Sequence, residues 1–184
     1  MPYFKSLPAD AGPPAVFTQY PDVYGPWSTM SEAMMNGPSP LSKGEREMIL
    51  AFAAGVAGCK IVYGAHSEVA YLQGIEDGLM DRLLDNLDTA PIDARLRALL
   101  TFVRKLALTP SAMSQADVDA VFQAGWDEQA LHSAIVITAR AAFMQRLVEA
   151  HGFTPLSKEV AIKHAQRRVE KGYVNLYPAF RDKK

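Results

Sequence analysis

From Ser42 to Lys171 the sequence is cut into lengths that suit helices, and the cuts fall at residues with end-of-helix chemistry. "SKGE" at 42–45 is a capping box: the Ser42 hydroxyl can accept from the Glu45 amide while Glu45 reaches back to the Ser42 amide. The helix it opens should run to about Ala57, with Gly58 suited to a left-handed C-terminal cap. A second helix is expected from Cys59 to about Gln73, closed by Gly74, and a short one over 77–86. Residues 91–108 place Leu96, Leu99, Leu100, Val103, Leu106 and Ala107 on one face, with Pro91 at the start and Pro110 past the end. Ser114 and Asp117 form another box-like start, the longest helix spans about Glu128 to Ala150 before Gly152, and a charged helix covers Ser157 to Lys171. The β-branched cluster "AIVIT" lies inside a helix-length periodic segment, so no strand is expected. The fold class is all-α.

Ahead of Ser42 the pattern changes. Eight of the 12 prolines fall in the first 40 residues, which predicts an extended arm interrupted by one short helix over 26–36. The chain of 184 residues is expected to form a single domain, divided into this arm (1–40), a helical core (41–153) and a C-terminal helix and tail (154–184). A net charge of −1 and a pI near 6.4, with no basic stripe, argue against a nucleic-acid partner. The densest basic run, "KHAQRRVEK" at 163–171, reads as the solvated face of a late helix. The longest uncharged apolar run, residues 48–59, has 12 residues, too few for a membrane span. With a single cysteine, no apolar leader in "MPYFKSLPADAGPP" and no internal disulfide available, a reduced, cytoplasmic setting is expected.

The chemistry concentrates in the hairpin formed by the first two strong helices. Glu47 lies 11 residues before Gly58 and His66 eight after it, so the two reach similar heights on facing helices. Cys59 precedes His66 by seven residues, two helical turns, which would put both on one seam with Glu47. A thiol at a helix start is favoured as thiolate, an imidazole relays protons near neutrality, and a carboxylate orients it and raises its basicity. Each residue also has an ordinary use: Cys59 as a small buried hydrophobe, His66 satisfied by a backbone carbonyl, Glu47 as a solvated first-turn acid. His132 reads as a core or interface residue, His151 as a cation beside a helix-ending glycine, and His164 as part of the charged helix. No metal-ligand spacing and no Gly-rich phosphate loop occurs, so no cofactor is expected.

At these residues the chain resembles the carboxymuconolactone decarboxylase/AhpD-like alkylhydroperoxidase family, particularly its peroxidase-related members. That family carries a glutamate twelve positions before a Cys-x-x-Cys-x-x-x-His run; Glu47 is twelve before Cys59 and His66 seven after it. "LSKGERE", the "AGC" turn and "AFMQRLVEAHG" (142–152) add to the likeness, which extends over roughly residues 15–153. It implies an AhpD-like helical domain in which Cys59, His66 and Glu47 are catalytic. Val62 stands where the second cysteine would be, so no internal disulfide can form, and Ile61 stands where some members carry a histidine.

Three functions follow as expectations. The first is a peroxidase-like, antioxidant thiol oxidoreductase, with Cys59 oxidised to a sulfenic acid, reduced by an external thiol, and served by a Glu47–His66 proton relay. The second is a cofactorless lyase or isomerase in which Glu47 and His66 do acid–base work and Cys59 is a bystander. The third is a non-catalytic relative. The small-molecule partner would be a hydroperoxide, or a small carboxylate or lactone. Cys59 is expected to be more acidic than a free cysteine if it reaches solvent. A homo-oligomer, trimer or hexamer, is implied by the resemblance. The aromatic load of Phe4, Phe17, Tyr20, Tyr24 and Trp27 in the arm, and of Tyr173, Leu176, Tyr177 and Phe180 in the tail, would support it if exposed.

Overall fold

The computed structural model describes residues 1–177, which form nine α-helices and one short 3-10 turn with no strand among them. The helices are α1 (Pro13–Gln19), α2 (Pro21–Asn36), α3 (Lys43–Val56), α4 (Lys60–Leu72), α5 (Leu79–Asp85), α6 (Ala94–Leu108), α7 (Gln115–Gln123), α8 (Glu128–Ala150) and α9 (Lys158–Lys171).

The α3/α4 hairpin is the centre of the molecule. Ser42 caps α3 through both halves of the box: Ser42 N–H donates to Glu45 Oε2 at 2.7 Å, and Glu45 N–H to Ser42 Oγ at 3.1 Å. Every residue from Arg46 to Ala54 is buried, so α3 is covered on all sides, by α4, α8, α6 and α5. Gly58 makes the turn at φ 81°, a conformation that costs a residue with a Cβ about 1 kcal/mol or more. At the other end of the hairpin, a Cβ on Gly44 would sit 2.7 Å from the Gln73 carbonyl, so only glycine lets α3 start this close to the end of α4. The last helix, α9, lies along α4 through Ala161 and Ala165, two small buried residues one turn apart.

From Pro13 to Asn36 the N-terminal arm is mainly helical, in α1 and α2, where an extended chain with one short helix is expected. Pro13 and Pro21 stand at the first positions of α1 and α2, where no intrahelical N–H bond is required and the fixed φ of proline is already helical. Pro26 lies inside α2, which runs on to Asn36 despite one forgone backbone bond. Proline density is therefore a poor guide to extension where the prolines fall at helix starts.

The aromatic residues of the arm and tail pack largely within the chain, so they lend the oligomer no support as an exposed patch. Phe17, Tyr24, Tyr173 and Leu176 are buried and Trp27 and Tyr177 half-buried, while Tyr3, Phe4 and Tyr20 are exposed. The Phe17 ring lies 4.5 Å from Tyr24 and meets Tyr177 edge-on at 5.6 Å, while Trp27 lies 4.3 Å from Phe143. Phe180 lies outside the described residues. Among the described residues no helix is long and apolar enough to cross a membrane.

Candidate functional site

The hairpin register brings Glu47 and His66 into direct contact. His66 Nδ1 lies 2.6 Å from Glu47 Oε2, with both residues at least 96% buried. The other carboxylate oxygen, Oε1, accepts from the Tyr173 hydroxyl at 2.7 Å. Arg168 Nη1 stands against the same ring, 3.0 Å from Nε2 and 3.4 Å from Nδ1. An ionised carboxylate can only accept, so the single proton of a neutral ring sits on Nδ1, donated to Glu47, and Nε2 is the acceptor beside the guanidinium.

Electrostatics agree with that assignment. Burial lowers the His66 pKa to about 4, helped by Arg168 and Arg140 and opposed by Glu47. Burial raises Glu47, but His66, Arg168 and the Tyr173 hydroxyl outweigh it and hold the carboxyl below its ordinary range. Burial first, then the Glu47 charge, pushes Tyr173 far above the usual phenol value, so it stays a donor. At neutral pH the group is a carboxylate, a neutral imidazole, a phenol and a guanidinium.

His66 forms part of the wall of a cavity of about 670 Å³. Trp27 and Ser31 of α2, Val62 of α4, Arg140 of α8, Arg168 of α9 and Tyr173 beyond it complete the part of the wall nearest the imidazole. Arg140 is 95% buried; its Nε donates to Ser31 Oγ at 3.2 Å, while its Nη1 has no partner. Its guanidinium carbon is 4.8 Å from the Tyr173 ring centre and that of Arg168 is 5.2 Å from it, so two cations crowd one ring. Trp27 offers a second aromatic surface, 5.5 Å from Arg140. Among the described residues Glu47 is the one buried carboxylate, beside the buried Arg46 and Arg140. Arg46 is occupied elsewhere, donating to the carbonyls of Met34 and Gly37. Among the described residues no group of three or more His, Cys, Asp or Glu is placed to hold a metal ion.

Cys59 stands apart. It is fully buried, forms no part of the cavity wall, and serves as the N-cap of α4, its amide bonded to the Ala54 carbonyl at 2.9 Å. Its pKa is raised, not lowered. Burial is the largest cause, the backbone at Val62 and Ile61 pulls the other way, and Glu149 adds to the rise. The expected acidity at a helix start fails because the thiol never reaches solvent. Native protein at pH 8 should react with iodoacetamide about a hundredfold more slowly than a free cysteine, with full reactivity restored in denaturant. Fast native labelling would show the thiol to be open.

The remaining histidines are peripheral to the Glu47–His66 pair. His132 is exposed on the chain, so it is not a core residue, and His151 bonds the Leu147 carbonyl through Nδ1 at 2.7 Å. His164 is exposed on α9 and borders the cavity. Sequence reasoning missed Arg140, Arg168 and Tyr173, which supply most of the site's polar character.

Compared with known proteins, the chain matches no family model and no curated protein. It is similar to seven solved chains. One is an uncharacterized peroxidase-related protein from Silicibacter sp., at 25% identity and TM-score 0.69 over 74% of this chain and 72% of that one. Another is an AhpD-core alkylhydroperoxidase structure, an uncharacterized peroxidase-related protein from Ralstonia eutropha. It aligns at 23% identity and TM-score 0.73 over 82% of this chain and 78% of that one.

Proposed function

Because this chain has the AhpD-like fold seen in peroxidase-related proteins, we propose that it is a cofactorless acid–base enzyme working on a small molecule in the Glu47–His66 cavity. The observation that carries this reading is that the cavity wall holds the imidazole but not the thiol: Val62 lines the space, whereas Cys59 is fully buried and does not. His66 takes a proton from the substrate at Nε2 and returns it at another atom. Glu47 holds the ring through Nδ1 and stabilises the imidazolium while it lasts, and Tyr173 keeps Glu47 ionised and in place. The cavity is large enough for a small organic substrate.

The peroxidase-related names of the similar solved proteins favour a second reading, the thiol peroxidase. It would need Cys59 to be uncovered by an opening of the α3–α4 turn, then oxidised by a hydroperoxide and reduced by an external thiol. In either case we propose a cytoplasmic homo-oligomer, a trimer or hexamer, supported by the family resemblance; light scattering that finds a 20.1 kDa monomer at micromolar concentration would end that part.

Two assays separate the chemistries: turnover of γ-carboxymuconolactone, and consumption of tert-butyl hydroperoxide with a supplied dithiol. The acid–base reading expects lactone turnover that falls at least about a hundredfold in His66→Gln and stays within about twofold in Cys59→Ala. Hydroperoxide consumption that disappears in Cys59→Ala would replace it with the thiol reading.

A further inference from the structure

We propose that Arg140 and Arg168 form a seat for a carboxylate inside the cavity, and that filling it draws Arg168 off His66 and frees Nε2. This rests on the acid–base reading only for its consequence; the seat itself rests on the side chains.

Three observations converge. Arg140 is 95% buried on the cavity wall, and its Nη1 finds no hydrogen-bond partner. The Nε of Arg168 is likewise buried and unpartnered. Leaving such donors unmade in a shielded place is costly, most of all for charged groups, so a fold that keeps them has a use for them or a strain to relieve. Nearby negative charge falls short of the positive. Glu47 spends its two oxygens on His66 and Tyr173, and Glu32 accepts from the Tyr173 amide and from Asn36 instead of from either arginine. A carboxylate matches the planar fork of a guanidinium and would supply the missing acceptors and the missing charge.

The second half concerns His66. In the present arrangement Arg168 Nη1 stands over the ring, 3.0 Å from Nε2, the nitrogen that would have to accept a substrate proton, and 3.4 Å from Nδ1. The arrangement is therefore a closed one. A carboxylate that takes over the Arg168 donors removes that contact and offsets the positive charge facing the ring, which makes the imidazole both accessible and more basic. The aromatic faces of Trp27 and Tyr173 beside the arginines suit a flat or cyclic body attached to the carboxylate.

Benzoate and its uncharged isostere benzamide test this with the intact chain, by calorimetry and by the 15N shift of His66 Nε2. Benzoate is expected to bind at least about tenfold more tightly than benzamide and to shift Nε2 as the Arg168 bond is lost. Arg140→Met should weaken benzoate about tenfold or more without a matching loss for benzamide. The Nε2 shift in wild-type protein keeps the idea open to refutation if that variant fails to fold. Equal binding of the two probes, sulfate binding as tightly as benzoate, or a bound benzoate that leaves Nε2 unchanged would overturn it. Benzoate binding with the Nε2 shift but no His66-dependent turnover would uphold the seat and remove only the acid–base reading.

Discussion

Glu47→Ala is expected to lower the unfolding free energy by about 3–5 kcal/mol, among the largest losses for any single side chain in this protein. Among the described residues Glu47 is the only buried carboxylate, and it stands in the field of His66, Arg168 and Arg140. Its removal leaves guanidiniums in a poorly hydrated place, strips the Tyr173 hydroxyl of its acceptor and leaves His66 Nδ1 without its partner. Glu47→Gln separates charge from shape, because the amide can still accept from Tyr173. A loss for Gln close to that for Ala means that charge dominates; a much smaller loss means that hydrogen bonding and packing do. Arg168→Met combined with Glu47→Gln should recover part of the loss, since the two groups belong to one network and their effects do not add. Urea denaturation at pH 7 gives each value, and a Glu47→Ala protein within about 0.5 kcal/mol of wild type would dismiss the picture of a buried charge cluster.

The sensitivity of that network contrasts with how unevenly it is visible in the sequence. The Glu47–His66 contact is legible because its determinants are local: a capping box that fixes where α3 starts, a glycine that fixes the turn, and equal distances from that turn. Cys59 was misplaced because the two-turn argument holds only for residues inside a helix. Cys59 is the N-cap, with φ −83° and ψ 89°, so its side chain does not follow the seam. Arg168 was hidden by its neighbours, since "QRRVEK" reads as a solvated face. Yet Ala161, Ala165 and Arg168 are spaced i, i+4, i+7, and the two alanines are the buried face of α9. Arg140 also left a trace, as the only charged residue between Glu128 and Arg146 in a helix otherwise rich in apolar residues. Tyr173 left none. It reaches Glu47 because Gly172 turns the chain at φ 65° just after α9, and a lone glycine there does not say where the next side chain will point.

Acid should destabilise this protein well before its carboxylates titrate. The His66 pKa falls from 6.5 to about 4 on folding, through burial first and the two arginines after it. Between those values the unfolded chain binds a proton that the folded chain refuses, so stability rises with pH through the window and is complete above about 6.5. The integrated effect is about 3 kcal/mol, lost progressively from pH 6.5 down to 4. Glu47 acts lower: its folded pKa lies below the ordinary 4.5, so its contribution is lost only as pH falls further. His164 is also lowered, by burial and by Arg168 and Arg167, but it is exposed and its part in the same window is small. The variants separate the two histidines. His164→Gln should leave the pH dependence nearly as it is, whereas His66→Gln should flatten it between pH 4 and 6.5 at the expense of stability near pH 7, where Nδ1 no longer serves Glu47. Urea midpoints measured every half pH unit supply the curve. A wild-type profile flat across that window would mean that the folded protein accepts the proton on His66, and hence that the ring is not held neutral between Glu47 and Arg168.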